Sequence, residues 1–310
     1  MLTAQLIVAR AANIGASILL EGIFTFVIIM LATAGGAARN SFQDIERRLL
    51  RLAVWSLVVA LLSALLWFCL EVASVSGLPL ARAFSTKAWQ TVLFETEFGR
   101  VWQLRLGLIA TAFALAALCL AQAKARRGLI AVLWLLSVVL LVSLAWISHA
   151  AAARAHRFGL LGDGIHLCAA GVWIGGLVPL VIFLAGTRGL FPLDETVVLM
   201  LHRFSTLSLY CVSVIIVSGI SNSWLLVGSV HALFTTPYGR LLFVKLTLFA
   251  ILVAFGARNR FLIKAKLVKN PADKDLLPQL RRNVICEVCL GAAVVAIVAC
   301  LGVTPPAGHS

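Results

Sequence analysis

Residues 14–34 read IGASILLEGIFTFVIIMLATA, a run of twenty-one residues whose single charge is Glu21. At ~1.5 Å per residue, a helix of that length crosses the ~30 Å hydrocarbon core of a bilayer. Seven comparable runs follow, at 52–76, 101–121, 129–148, 164–185, 205–228, 241–257 and 284–303, separated by charged and Pro- or Gly-bearing breaks. The expected fold is an all-α polytopic membrane protein with eight transmembrane helices, one integral membrane domain over 1–310. Composition agrees, since 62% of the 310 residues are hydrophobic and 12% charged, too little polar surface to cover a water-soluble globule. Ala32-Thr33-Ala34 resembles a signal-cleavage site, but Glu21 within the run and a front carrying only Arg10 mark the segment as a retained helix.

A formal net charge of +14 would suggest nucleic acid in a soluble chain. Here most Lys and Arg sit between spans, where they set topology, so no nucleic-acid partner is expected. With the amino terminus outside, the inner connections hold seventeen basic residues: Arg39, Arg47, Arg48, Arg51, Lys124, Arg126, Arg127, Arg188, Arg203 and the eight from Arg258 to Arg282. The outer segments hold seven: Arg10, Arg82, Lys87, Arg100, Arg154, Arg157 and Arg240. Both termini are therefore expected on the periplasmic side.

The segment from Thr96 to Leu106, TEFGRVWQLRL, returns 140 residues later as TPYGRLLFVKL, Thr236 to Leu246. This points to two four-helix repeats, 1–148 and 149–310. An even number of spans per copy makes the repeats parallel, with substrate between them.

Five of the six histidines, His149, His156, His166, His231 and His309, fall at or near the outer face in this topology, and His202 falls inside. The fourth span ends near His149 and the fifth begins near Asp163, so a short connection brings His149, Asp163 and His166 to one depth. Asp163 and His166, three apart, share a helix face with Trp173 two turns deeper. Imidazoles beside a carboxylate suit a transition metal, copper and zinc above all. The plainer reading of any one of these histidines is a ring resting wet in the headgroup layer.

Glu21 needs a partner inside the first span. Arg105 and Lys245, matched by the repeat, are candidates to pair with Glu21 or Glu71, or else to snorkel outward. These three residues, with Cys286 and Cys289 of a CxxC in the eighth span, are candidate pathway groups: two thiolates there could accept a soft ion leaving toward a reducing cytoplasm. The alternative for the CxxC is packing. Gly171-Val172-Trp173-Ile174-Gly175 has the GxxxG spacing that lets helix backbones approach, placing the fifth span at the bundle centre. Seven cysteines, five of them in or at the ends of apolar runs, argue against a disulfide framework. The sequence carries no phosphate-binding loop, dinucleotide fingerprint or serine nucleophile elbow, so neither an ATP-driven pump nor an enzyme is expected.

The stretch Asp163-Gly164-Ile165-His166-Leu167-Cys168-Ala169-Ala170-Gly171-Val172-Trp173-Ile174-Gly175-Gly176-Leu177, preceded by His149, resembles the copper resistance protein D family of the CopD or PcoD type. Arg203-Phe204-Ser205, Gly219, Thr236 to Lys245 and Ala257-Arg258-Asn259-Arg260 are similar to the rest of that pattern, and the length suits the type without a fused copper-binding domain. The resemblance implies a multi-pass protein of the bacterial inner (plasma) membrane. It would move copper ions, as substrate, from periplasm toward cytoplasm, receive them from a periplasmic CopC-type copper-binding protein, and contribute to copper resistance and homeostasis. It carries His149, Asp163 and His166 over as metal ligands. Two rivals stand beside it. One is a haem-binding membrane redox protein with His149 and His166 flanking an iron. The other is a non-transporting docking partner of a periplasmic copper carrier.

Overall fold

The computed structural model describes residues 2–33, 36–85, 87–121, 126–147, 156–187, 195–269, 273 and 275–306. His149 and His309 lie outside the described residues, as does the side chain of His156. Among the described residues the chain is all helix and turn, and eight helices are long and apolar enough to cross a membrane. They are α1 (Leu2–Thr33), α2 (Gly36–Ser76), α5 (Glu97–Ala121), α6 (Arg126–Val142), α7 (His156–Gly186), α8 (Glu195–Val227), α10 (Pro237–Arg258) and α12 (Leu276–Leu301). Helix α6 tightens into a 3₁₀ turn at Ser143–Ile147, and α10 runs on through a π-helical turn, Asn259–Ile263, into α11 (Lys264–Lys269). Short helices α3 (Leu80–Ala83), α4 (Ala88–Phe94) and α9 (Val230–Thr235) lie between spans.

Most helices overrun their apolar runs. α1 starts at Leu2 rather than at 14, and α2 carries Arg47, Arg48 and Arg51 in helical register ahead of its apolar run. Hydropathy marks where hydrocarbon begins, whereas backbone hydrogen bonding continues into the headgroup layer and beyond.

Helix α1 is the hub, packed against α2, α6, α7, α8 and α12. It meets α7 backbone to backbone. A Cβ on Gly22 would fall 1.9 Å from the Gly175 carbonyl carbon, and one on Gly175 would fall 2.0 Å from the Ile18 oxygen. The GxxxG reading thus finds its partner in α1. Below this crossing Phe26, Phe183 and Phe204 interlock, Phe26 lying 5.8 Å from Phe183 and 5.6 Å from Phe204 between ring centroids. Trp55, Leu62, Ile220 and Trp224 project outward, as a lipid-facing surface requires.

The two copies of the 140-residue spacing fold alike locally. Thr96 Oγ1 accepts from the Gly99 amide and Thr236 Oγ1 from the Gly239 amide, each at 3.0 Å, capping α5 and α10. Both glycines are pressed against the preceding short helix: a Cβ would lie 2.2 Å from Val92 O in the first copy and 2.1 Å from Ala232 O in the second.

Candidate functional site

Asp163 and His166 stand in the first half of α7, and each meets a polar residue one helical turn apart on α8. Asn222 Nδ2 donates to Asp163 Oδ1 at 2.8 Å, and His166 Nδ1 lies 2.9 Å from Ser218 Oγ. The serine has a backbone partner as well. Its hydroxyl has one proton, and Val214 O accepts it at 2.6 Å within α8. With that proton on Val214 O, Ser218 is able to accept from His166 Nδ1–H, the arrangement that leaves the lone pair on Nε2. Gly219 packs beside the ring, where a Cβ would stand 3.6 Å from His166 Cε1, in ordinary contact. Lys245 of α10 is partly buried and near enough for its charge to act on both Asp163 and His166.

Arg105, its counterpart 140 residues earlier, is differently placed. It is 2% exposed and donates through Nη2 to Asn13 Oδ1 (2.6 Å) and Ser17 Oγ (3.2 Å), and through Nη1 to Ser143 Oγ (2.7 Å) and Leu140 O. Asn13 in turn donates to Ala60 O (3.0 Å) and Ser63 Oγ (3.1 Å) of α2. One guanidinium thus ties together the first four spans through neutral acceptors. The expected pairing of Arg105 with Glu21 or Glu71 is corrected by this cage: Arg105 is saturated by amide, hydroxyl and carbonyl oxygens. Glu71 instead acts on Arg10, whose guanidinium stacks over Trp67 at 4.7 Å.

Glu21, 1% exposed, also finds neutral partners: Ser137 Oγ at 2.8 Å and Thr25 Oγ1 at 3.2 Å, with Trp134 Nε1 donating to Thr25 at 3.0 Å. Asn13, Ser17, Glu21 and Thr25 recur every four residues, a polar stripe along α1 that serves first Arg105 and then the carboxyl. Glu21 lines the deep end of a cavity of about 710 Å³, which reaches up past Cys168 and Ile165 of α7 to Trp146 and Leu160.

The CxxC is split by helix geometry. Cys286 and Cys289 are exposed on the outward side of α12 as free thiols, and Glu287 between them turns inward, 3% exposed, where Asn259 of the π turn donates to it. Sequence reasoning passed over Glu287, and also Ser218 and Asn222; the i, i+4 spacing of the latter two in an apolar run was the available signal. His202 and His231 are exposed. Among the described residues, no three His, Cys, Asp or Glu side chains converge as a metal cluster.

Two family models match the chain. The N-terminal domain of copper resistance protein D-like proteins covers residues 1–157, half the sequence, and copper resistance protein D covers 198–301. The chain belongs to the copper resistance protein D family. It is a multi-pass membrane protein of a copper resistance and transport family. Helix α7, with Asp163 and His166, bridges the two matched ranges.

The chain is similar to the inner membrane protein YebZ of Escherichia coli K12, 28% identical over 270 residues that cover 84% of this chain and 87% of that one. It is likewise similar to copper resistance protein D of Pseudomonas syringae pv. tomato, 28% identical over 262 residues, covering 79% and 83%. It is 29% identical over 234 residues to the copper transport protein CutJ of Bacillus subtilis 168, covering 74% of this chain and 42% of that longer protein. No solved structure matches.

The segments that resemble the family tie α8 to its neighbours. Arg203 Nη1 donates to Ala32 O (3.0 Å) and Thr33 Oγ1 (3.1 Å), closing the end of α1. Phe204 fills the space over Gly176, and Ser205 receives Arg260.

Proposed function

We propose that this chain is a copper transporter of the bacterial inner membrane, taking copper ions from a periplasmic CopC-type carrier and passing them toward the cytoplasm. The observation that carries the reading is the contact of His166 Nδ1 with Ser218 Oγ at 2.9 Å. An imidazole whose Nδ1–H is committed to Ser218 offers Nε2 as a ligand, the way metal-binding histidines are oriented by their outer partners. His149 and Asp163 complete the ligand set, with Asn222 orienting the carboxylate.

Both termini lie in the periplasm, in keeping with the excess of basic residues on the other connections. The chain is organised as two parallel four-helix repeats, 1–148 and 149–310, in line with the matching caps of α5 and α10. Copper moves from the rim down the 710 Å³ cavity to Glu21, whose carboxyl has hydroxyl partners rather than a competing cation. Arg105 clamps the helices that carry Glu21, and Lys245 tunes the field at Asp163 and His166. Cys286 and Cys289, facing outward, take no part.

The test is copper uptake into vesicles reconstituted with the purified protein, read together with its metal content. His166→Ala abolishes uptake and accumulation in cells while membrane levels stay intact. Ser218→Ala weakens copper binding by roughly 10–100-fold, the usual effect of removing the group that orients a ligand. Uptake that survives His166→Ala removes the site, and wild-type protein that binds copper without uptake makes the chain a docking partner.

A further inference from the structure

On the face opposite the chain ends, α7, α8, α12 and the π turn after α10 enclose a second cavity of about 130 Å³. Its walls are apolar, formed by side chains such as Leu177, Leu180, Val212 and Val284, and Glu287 closes its deep end with one oxygen engaged by Asn259. Its rim is basic. Arg260 Nη1 donates to Ser205 Oγ at 2.9 Å and to Ser205 O at 2.7 Å, and Lys264 Nζ reaches the same hydroxyl at 3.4 Å.

Two cations thus converge on one neutral oxygen, and the charge of Arg260 acts unfavourably on Lys264. Among the described residues the one ion pair is Arg126–Glu46, so no carboxylate of the described residues pairs with either rim cation. The π turn sets this arrangement, because its wider register carries Asn259 inward and Arg260 toward Ser205. Beside the rim, Leu209 and Phe261 are 44% and 64% exposed, so the cavity opens sideways into lipid between α8 and the π turn.

We infer that this cavity is a binding site for an anionic phospholipid, its phosphodiester between Arg260 and Lys264 and the start of an acyl chain between α8 and the π turn. Guanidinium and ammonium groups supply the counter-charge, as basic pockets between spanning helices do for acidic headgroups. A free anion would satisfy the charges but not the apolar opening, and a zwitterionic lipid would fill the opening but not the charges. The site is independent of copper. It locks α8 against the α10–α12 side of the bundle, at the end remote from His166.

Native mass spectrometry and thermal unfolding of the delipidated full chain test it, with phosphatidylglycerol, phosphatidylethanolamine and inorganic phosphate as separate probes. Phosphatidylglycerol is expected to bind and to raise the unfolding midpoint, and the other two are not. Arg260→Gln with Lys264→Gln, which keeps polar groups beside Ser205, lowers the apparent phosphatidylglycerol affinity by roughly tenfold to thirtyfold while the lipid-free midpoint stays near wild type. Equal binding of the two lipids overturns the inference, as does unchanged affinity in the double variant. A midpoint shift reproduced by inorganic phosphate alone makes this a free-anion site and overturns the lipid assignment.

Discussion

Arg105 and Lys245 stand 140 residues apart at matched places in α5 and α10, yet the first is sealed and the second is not. Around Arg105 the first half sets Asn13, Ser17, Ser143 and Leu140, all neutral oxygen acceptors. In the second half, α7 and α8 set Asp163 with Asn222 and His166 with Ser218, and the cation only stands nearby. Matched positions in α5 and α10 thus have two outcomes. Neutral acceptors saturate a cation and make a clamp. A carboxylate and an imidazole, each held by its own partner on α8, make the site proposed here for copper.

The clamp should break hardest. Arg105→Ala strands the acceptors on α1 and α6, and is expected to cost on the order of 3 kcal/mol and to lower the level of folded protein in the membrane. Unfolding midpoints in detergent check it, and a midpoint equal to wild type would erase the contrast. The shared part of the two halves is tested by Thr96→Ala and Thr236→Ala. Each removes one cap of the same geometry, and each should cost about 1 kcal/mol. Clearly unequal losses would mean that the 140-residue copies are alike in sequence but not in load. The smallest effect is expected at Lys245. Lys245→Ala leaves the midpoint near wild type and tightens copper binding by roughly threefold, because a positive charge no longer acts on the ring of His166. Titration with copper at low salt reads this, and weaker binding would place the lysine among the supports of the site.

Much of the architecture was open to a reader of the chain. Eight apolar runs gave eight spans, because membrane crossing is a one-dimensional constraint on length and polarity. Asp163 and His166 were legible as a pair since three-residue spacing fixes a common face. Their partners were not. Ser218 and Asn222 look like ordinary small polar residues in a spanning helix, and only the packing of α7 on α8 turns them toward the site. The same holds for Arg105, where the expected carboxylate partner gave way to Asn13 and Ser17, one just before the first apolar run and one within its first turn. At 286–289 the spacing drew attention to two thiols, while the rotation of α12 in the bundle exposes them and buries the carboxyl between.

What the order of residues settled alone is the number of crossings, the excess of basic residues on one set of connections, the close-approach glycines of α7 and the kinship with copper resistance proteins. Each depends on neighbours along one helix or one run. Tertiary structure decided which polar group answers which: the neutral cage of Arg105, the serine beside His166 Nδ1, the hydroxyl partners of Glu21 and the two cations that meet at Ser205. Such pairings depend on how far each helix is turned about its axis, and that angle is set by interhelical packing of side chains and glycines.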